Sequence, residues 1–296
     1  MSRWTEADIP DQSGRTVLVT GANSGLGLRT AQVLAAKGAH VLMGCRSVQR
    51  GETARQSVRG SAEVLELDLA DLVSVRAAAD KVEELDVLVN NAGIMAVPNG
   101  RTVDGFERQF GTNHLGHAAL TWLLLPVLKQ RPGARVVTVS SLAHHAGHMD
   151  FADPNFDRRP YTLRGSYGQS KLANILFARE LERRSSAVTS IAAHPGLTVT
   201  ELTNNMADAH RSAVLKIGGR ISHLFSQSVE MGALPQLYAA TAPEARGGQY
   251  YGPGGFNEFR GHPATARMSA AARDDLAANR LWELTSKLTG ITPELE

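Results

Sequence analysis

Short apolar runs alternate along the chain with longer stretches in which apolar residues recur every three or four positions. The short runs are typical of buried strands and lie at residues 15–21, 39–45, 62–69, 85–93, 134–141 and 188–196, with a weaker seventh at 247–252. The periodic stretches are typical of amphipathic helices and lie at residues 26–38, 47–59, 71–84, 103–129, 166–185 and 265–289.

Strands that are apolar throughout are buried on both faces, which indicates a parallel sheet covered by helices on each side. Because the connections of such a sheet are right-handed, the pattern predicts an α/β fold. We expect a doubly wound, Rossmann-type parallel sheet of about seven strands. No Pro/Gly/Ser-rich linker or repeat interrupts the chain, so residues 1–296 are predicted to form a single domain. Its cofactor half would be about 14–140, and its catalytic and substrate half about 141–296.

Composition excludes several classes of protein. The 31 basic and 29 acidic residues are spread evenly, without the basic stripe that nucleic-acid binding needs. The single cysteine, Cys45, rules out an internal disulfide framework and fits a reducing compartment. No apolar run reaches the ~18 residues of a membrane span, so we expect a cytoplasmic protein without membrane contact. His144, His145 and His148 lack cysteine or carboxylate neighbours, and no metal site is predicted.

The segment "TGANSGLG" (20–27) follows the first predicted strand and opens the first helix. In that position a glycine-rich turn directs backbone N–H groups and a helix N-terminus at a pyrophosphate. Its spacing, G-x-x-x-G-x-G, differs from the G-x-G-x-x-G pattern of many dinucleotide sites. The residues of this loop predicted to contact a dinucleotide are Gly21, Asn23, Ser24, Gly25, Leu26 and Gly27.

The end of the second strand indicates which dinucleotide binds. An acidic residue there would bind the ribose 2′-hydroxyl of NAD, but Cys45 holds that position and Arg46 follows. An arginine can pair with the 2′-phosphate of NADP, so the sequence favours NADP(H), with NAD(H) possible. The alternative is a solvated arginine at a strand end. Further cofactor contacts are predicted at Asp68 and Leu69 beside the adenine, and at Asn91, Ala92 and Gly93 along the midsection.

The segment "YGQSK" (167–171) places Tyr167 and Lys171 four residues apart on a predicted helix. Residues at that spacing share one face, so a phenol and an ammonium would lie side by side. A nearby cation favours the phenolate and lowers the pKa of the phenol. By itself the pair is equally consistent with two exposed residues on a helix.

An ordered set of motifs resembles the short-chain dehydrogenase/reductase family. The set comprises "TGANSGLG" (20–27), "DL" (68–69), "NNAG" (90–93), Asn113 in "TNHLG", "VSS" (139–141), "YGQSK" (167–171) and "HPG" (194–196). The segments "SSLAHHAG", "YGQSKLANILFARELERR" and "RLWELTSKLTG" are similar to its retinol dehydrogenase-like branch. The resemblance implies an NAD(P)-dependent oxidoreductase acting on CH–OH or C=O groups.

The resemblance also implies a catalytic set. Tyr167 would be the general acid in reduction and the general base in oxidation, while Lys171 would lower its pKa and bind the nicotinamide ribose. Ser141 would hydrogen-bond the substrate oxygen, with Ser140 as the competing serine. Asn113 would hold a water that links Lys171 to bulk solvent.

The resemblance also implies contacts between the cofactor and the segment that follows the sixth predicted strand. Pro195 and Gly196 would approach the nicotinamide. Thr198 and Thr200 would bond its carboxamide or a phosphate, although structural capping explains both threonines equally well.

The 26 residues between Ser141 and Tyr167 exceed the usual gap in the family. The insert at 148–165 would form a flap beside the substrate pocket, and 201–227 would be either a mobile substrate loop or a packed helix. The substrate would be a fairly apolar small molecule, and the protein a homodimer or homotetramer.

Two other functions stay open from the sequence. One is a non-catalytic nucleotide-binding protein that senses redox state or supports an assembly. The other is a same-fold reductase of C=C bonds.

Overall fold

A computed structural model of the protein describes residues 3–198 and 227–295. Within these residues one sheet has the strand order β3-β2-β1-β4-β5-β6-β7-β8. Strands β1 to β7 are parallel, and β8 pairs with β7 in the antiparallel sense. The strands are β1 Thr16–Thr20, β2 His40–Cys45, β3 Ala62–Glu66, β4 Val87–Asn90, β5 Arg135–Val139, β6 Thr189–Ala193, β7 Tyr250–Pro253 and β8 Pro263–Thr265.

Helices connect the parallel strands. They are α1 Gly25–Ala36, α2 Val48–Arg55, α3 Leu72–Ala79, α4 Arg108–Phe110, α5 Gly116–Leu128, α6 Leu163–Arg184, α7 Val229–Thr241 and α8 Asp275–Thr289. A π-helical turn, Gly111–Leu115, joins α4 to α5. The predicted helix at 103–129 is therefore divided, and π turns of this kind are frequent at functional sites.

The sheet has an apolar core on each face because its strands alternate their side chains. In β1, Val17 and Val19 pack with α1 and α7, whereas Leu18 packs with α3 and α5 on the other side. Strand β1 lies between β2 and β4, so the direction of winding reverses there. The carboxyl ends of β1 and β4 flank this reversal, which is where ligands bind in open α/β sheets.

The fold class is confirmed, and two elements were not predicted. The sheet has eight strands instead of about seven, because the three-residue β8 is too short to show an alternating pattern. Part of the helix predicted at 265–289 is irregular, and α8 begins only at Asp275. Helix α7 is the second element that was not predicted. It has no polar stripe that would reveal a helical period, and it contains Gly232 and Pro235.

Helix α8 covers α5 and α6. The ring of Trp282 lies 4.8 Å from that of Trp122 and 5.7 Å from that of Phe177, measured between centroids. His114 Nε2 lies 2.9 Å from the hydroxyl of Thr285. Large parts of α5 and α6 are therefore buried within the chain itself.

Candidate active site

The glycine loop after β1 has no room for side chains. Gly21 and Gly25 have φ values of +68° and +53°, which favour glycine. A Cβ on Gly27 would overlap the carbonyl oxygen of Gly21 and lie 2.5 Å from Asn91 Nδ2. Helix α1 begins at Gly25, and the side chain of Ser24 makes no capping bond to it. The loop thus lets a ligand approach the backbone at a helix N-terminus, which fits a pyrophosphate.

The "NNAG" turn after β4 is tied to this loop through Thr20. Thr20 Oγ1 accepts hydrogen bonds from the N–H groups of Asn91 and Ala92, both at 2.9 Å. Asn91 Nδ2 donates to the Thr20 carbonyl at 2.8 Å. A Cβ on Gly93 would lie 3.3 Å from Asn113 Oδ1 and 3.5 Å from Lys171 Nζ. The turn therefore connects the glycine loop to two of the predicted catalytic residues.

The residues predicted near the adenosine lie at the carboxyl edge of β2 and β3. Arg46 is exposed directly after β2. Cys45 is buried, and burial raises the pKa of its thiol to about 11, so it is not a reactive thiolate at neutral pH. Asp68 is half-buried and its Oδ1 accepts the N–H of Ala70 at 2.9 Å, while Leu69 is buried.

The two adjacent serines have different surroundings. Ser140 is 2% exposed and donates to the Lys171 carbonyl at 2.6 Å. Ser141 is partly exposed, caps the short helix that follows it, and accepts the N–H of Ala143 at 3.2 Å. Its hydroxyl also faces the phenol of Tyr167 and lowers the pKa of that phenol. Ser141 is therefore the serine that a substrate can reach.

Tyr167 and Lys171 lie one turn apart on α6. Burial raises the pKa of Tyr167 to about 12, and the hydrogen bond with Ser141 opposes that rise. Burial lowers the pKa of Lys171 to about 8. Lys171 Nζ donates to the Val139 carbonyl at 3.0 Å and lies 5.8 Å from the centre of the Tyr167 ring. Burial is the largest influence on the pKa of Tyr167 and keeps the phenol protonated at neutral pH.

Asn113 lies on the π turn and is fully buried. Its Oδ1 accepts the N–H of Ile94 at 2.8 Å, and its Nδ2 donates to the Ile94 carbonyl and to Ser170 Oγ, both at 2.9 Å. These bonds hold it between α6 and the segment after the "NNAG" turn.

The turn after β6 contains Pro195 and Gly196. Gly196 has a φ of +65°, and Thr198 Oγ1 donates to the Pro195 carbonyl at 2.8 Å, which supports the capping interpretation of Thr198. The N–H of Gly196 donates to His194 Nδ1 at 3.2 Å, and His194 Nε2 lies 3.1 Å from Glu258 Oε2. Glu258 was not predicted as a neighbour of this turn, since it is distant from it along the chain. Thr200 and residues 201–226 lie outside the described residues.

The insert at 148–165 is attached to the body by polar bonds. The carboxylate of Asp153 accepts three N–H groups, those of residues 157, 158 and 159. Asn155 Oδ1 accepts the N–H of Glu107 at 2.9 Å, and the hydroxyl of Tyr161 donates to the Val97 carbonyl at 2.8 Å. The insert thus joins the segment that follows the "NNAG" turn.

Other features bear on ligands. His144 is buried, and its two ring nitrogens face the Ser141 carbonyl at 2.7 Å and the N–H of Ser269 at 3.2 Å. Across residues 3–198 and 227–295, no group of three or more His, Cys, Asp or Glu side chains is placed to hold a metal ion. None of the helices in the described part of the chain has the length and apolar character needed to cross a membrane.

A glycine loop at the reversal of a parallel sheet, with serine, tyrosine and lysine beside it, defines a class of nicotinamide-nucleotide-dependent oxidoreductases. The sequence model of the short chain dehydrogenase family matches residues 15–211. The chain therefore belongs to the short-chain dehydrogenase/reductase family, whose members use NAD(P)(H), and it is an enzyme acting on CH–OH or C=O groups.

Similar proteins place the chain on the retinol dehydrogenase-like side of the family. It is 41% identical to human retinol dehydrogenase 13, over 97% of this chain and 87% of that protein. It is 40% identical to mouse retinol dehydrogenase 12, over 97% and 89% respectively. An uncharacterized protein from Mycobacterium paratuberculosis has a crystal structure that matches with a TM-score of 0.84 and 44% identity, covering 100% of both chains.

Proposed function

We propose that the protein is an NADP(H)-preferring oxidoreductase that transfers hydride between the nicotinamide and a carbonyl or alcohol carbon of a fairly apolar small molecule. The observation that carries the proposal is the contact of the Ser141 hydroxyl with the protonated Tyr167 phenol. Lys171 and the "NNAG" turn lie directly beside this pair. A non-catalytic sensor would not need that arrangement, and nothing in it favours reduction of C=C bonds.

In the proposed reaction, four residues of the chain have separate roles. Tyr167 gives its proton to the substrate oxygen in reduction, and Ser141 donates a hydrogen bond to the same oxygen. Lys171 binds the ribose hydroxyls, and its charge stabilises the phenolate left after proton transfer. Asn113 holds the water that links Lys171 to solvent. The nicotinamide, when bound, supplies or accepts the hydride.

The preference for NADP(H) rests on the end of β2. Arg46 is exposed there, and Cys45 stands where NAD-binding proteins carry a carboxylate. A guanidinium pairs with a 2′-phosphate, and no carboxylate at this position would repel it. A related solved structure, named for an NAD(P)-dependent gluconate 5-dehydrogenase from Beutenbergia cavernae, contains NADP; its TM-score is 0.63 and its identity 25%, over 81% of this chain and 96% of that one.

The proposed substrate is an apolar carbonyl or alcohol of the retinoid type. The names of the relatives support it, because several are retinol dehydrogenases. We propose the cytoplasm as the compartment, in keeping with a single buried cysteine. We also propose a homodimer or homotetramer. Because α8 packs on α5 and α6, the interface between subunits would use another surface of the protein.

One experiment tests the function. NADPH and NADH are titrated while energy transfer from tryptophan to the nicotinamide is followed, and a panel of aldehydes, ketones and retinoids is then added while oxidation is measured. The proposal predicts tighter binding of NADPH and its oxidation by an apolar carbonyl. Nucleotide binding without turnover on the panel would contradict the proposed reaction. A lack of binding by either nucleotide would contradict the assignment of the glycine loop.

A further inference from the structure

His117 is a buried histidine between two parts of the candidate site. It lies on α5 and is 1% exposed. Its Nδ1 lies 2.9 Å from the carbonyl oxygen of Asn113, and its Nε2 lies 2.8 Å from Thr20 Oγ1. A carbonyl oxygen only accepts, so Nδ1 carries the proton. In the neutral ring, Nε2 then accepts the hydroxyl hydrogen of Thr20.

The protonation state of the ring is settled by its surroundings. Burial lowers the pKa of His117 to about 4; the bond to Asn113 opposes this, and the charge of Lys171 adds to it. The ring is therefore neutral at physiological pH, with one donor and one acceptor. Both are used, and each has a different partner.

The partner on the Nε2 side belongs to the predicted nucleotide site. Thr20 ends β1, and its Oγ1 already accepts the N–H groups of Asn91 and Ala92. That oxygen therefore gives its own hydrogen to His117 while it holds the "NNAG" turn. Thr20 thus connects the ring to the turn.

The partner on the Nδ1 side is the residue proposed to hold the water of the lysine relay. The side-chain amide of Asn113 is fully engaged by Ile94 and Ser170. Its main-chain carbonyl is held separately by His117. The amide therefore anchors the side chain of Asn113, and the histidine ring bonds its carbonyl.

We propose that His117 is a positioning residue: it holds the carbonyl of Asn113 in the orientation that the lysine relay requires and couples it to the nucleotide-binding turn through Thr20. This inference rests on the proposed function. His117 itself touches neither substrate nor the reacting groups.

The test compares variants at two histidines of neighbouring turns. His117→Phe keeps a ring but loses both hydrogen bonds, whereas His117→Gln keeps one donor and one acceptor. His114→Phe is the matched control, because His114 is equally buried but contacts Thr285 of α8 and Asn174, and neither Asn113 nor Thr20 through its side chain. Each variant is measured for kcat and KM with NADPH and nonanal or all-trans-retinal, for the dissociation constant of NADPH, and for Tm.

The expected result is a loss in kcat of ~10- to ~100-fold for His117→Phe, the size that a small misplacement of a relay group produces. His117→Gln should recover most of it. His114→Phe should lower Tm to a similar extent and leave kcat within about threefold. Equal kcat losses in His117→Phe and His114→Phe, or no rescue by glutamine, would overturn the proposal.

A second readout does not depend on turnover. In 15N-histidine NMR, His117 should be protonated only at Nδ1 and should not titrate between pH 5 and pH 9, and addition of NADPH should shift its signals. A ring protonated at Nε2, or one unaffected by NADPH, would overturn the coupling. Absence of turnover in the wild type on every carbonyl would instead count against the proposed function, and the NMR result would still decide the role of His117.

Discussion

The nucleotide side and the substrate side of the candidate site are built by different means. On the nucleotide side, close backbone contacts decide the shape: Gly27 packs directly on the carbonyl of Gly21. On the substrate side, the insert at 148–165 is held by side-chain hydrogen bonds: Asp153 accepts nearby N–H groups within the insert, and Tyr161 donates to the carbonyl of Val97. Steric contacts tolerate almost no variation, whereas polar attachments can change one by one. The fold can therefore keep its cofactor chemistry while its pocket changes.

The largest effect is expected from a substitution in the glycine loop, on the nucleotide side of the site. In Gly27→Ala, the new Cβ would overlap the Gly21 carbonyl, and backbone cannot move away as a flexible side chain can. We expect NADPH affinity to fall by ~100-fold or more, as measured by titration. Gly133→Ala is the control, since Gly133 has a φ of +73° with nothing near its Cβ. It should cost ~1 kcal/mol of stability and leave binding unchanged. Equal NADPH affinities in the two variants would contradict the steric account.

A second prediction separates the two serines at the boundary of these regions. Ser141→Ala removes the hydroxyl that contacts Tyr167, so kcat should fall by ~10- to ~100-fold with NADPH affinity retained. Ser140→Ala loses a buried bond to the Lys171 carbonyl and should mainly lower the free energy of unfolding, by ~1 kcal/mol. Steady-state kinetics and thermal melts check both. A larger loss of kcat in Ser140→Ala would reverse the assignment.

A third prediction concerns the choice of nucleotide. Arg46→Asp removes the guanidinium expected to pair with the 2′-phosphate of NADP and puts a carboxylate that repels this phosphate in its place. The ratio of NADPH to NADH affinity should fall by ~10-fold or more. Arg50→Asp, in the first turn of α2, serves as the charge-matched control. If the ratio responds equally to both substitutions, general electrostatics and not a 2′-phosphate contact is responsible.

The smallest effect is expected on the substrate side. Asp153→Asn weakens the bonds to three N–H groups of the insert without changing its shape. The KM for an apolar carbonyl should rise by ~3-fold, with NADPH affinity unchanged. Asp157→Asn, which affects one exposed ion pair with Arg101, is the comparison. A change in NADPH affinity in Asp153→Asn would show that the two sides are not independent.

The sequence predicted those features that depend on residues close together along the chain. Apolar runs predicted the parallel strands, and the glycine spacing predicted a turn that only glycine can form. The three-residue β8 and the largely apolar α7 carried no periodic signal. The resemblance pointed to Ser141, whereas the different burial of Ser140 and Ser141 is visible only in the structure. The link between His194 and Glu258 joins residues with no shared motif. The raised pKa of Tyr167 also depends on burial, which a motif does not report.

We expect Tyr167 to transfer the proton, and we expect the nucleotide side of the site to bind NADPH independently of Tyr167. The most direct measurement is the turnover of Tyr167→Phe with NADPH and an apolar carbonyl, together with its NADPH affinity. We expect kcat to fall by ~1,000-fold or more with unchanged NADPH affinity. Turnover close to that of the wild type would contradict it.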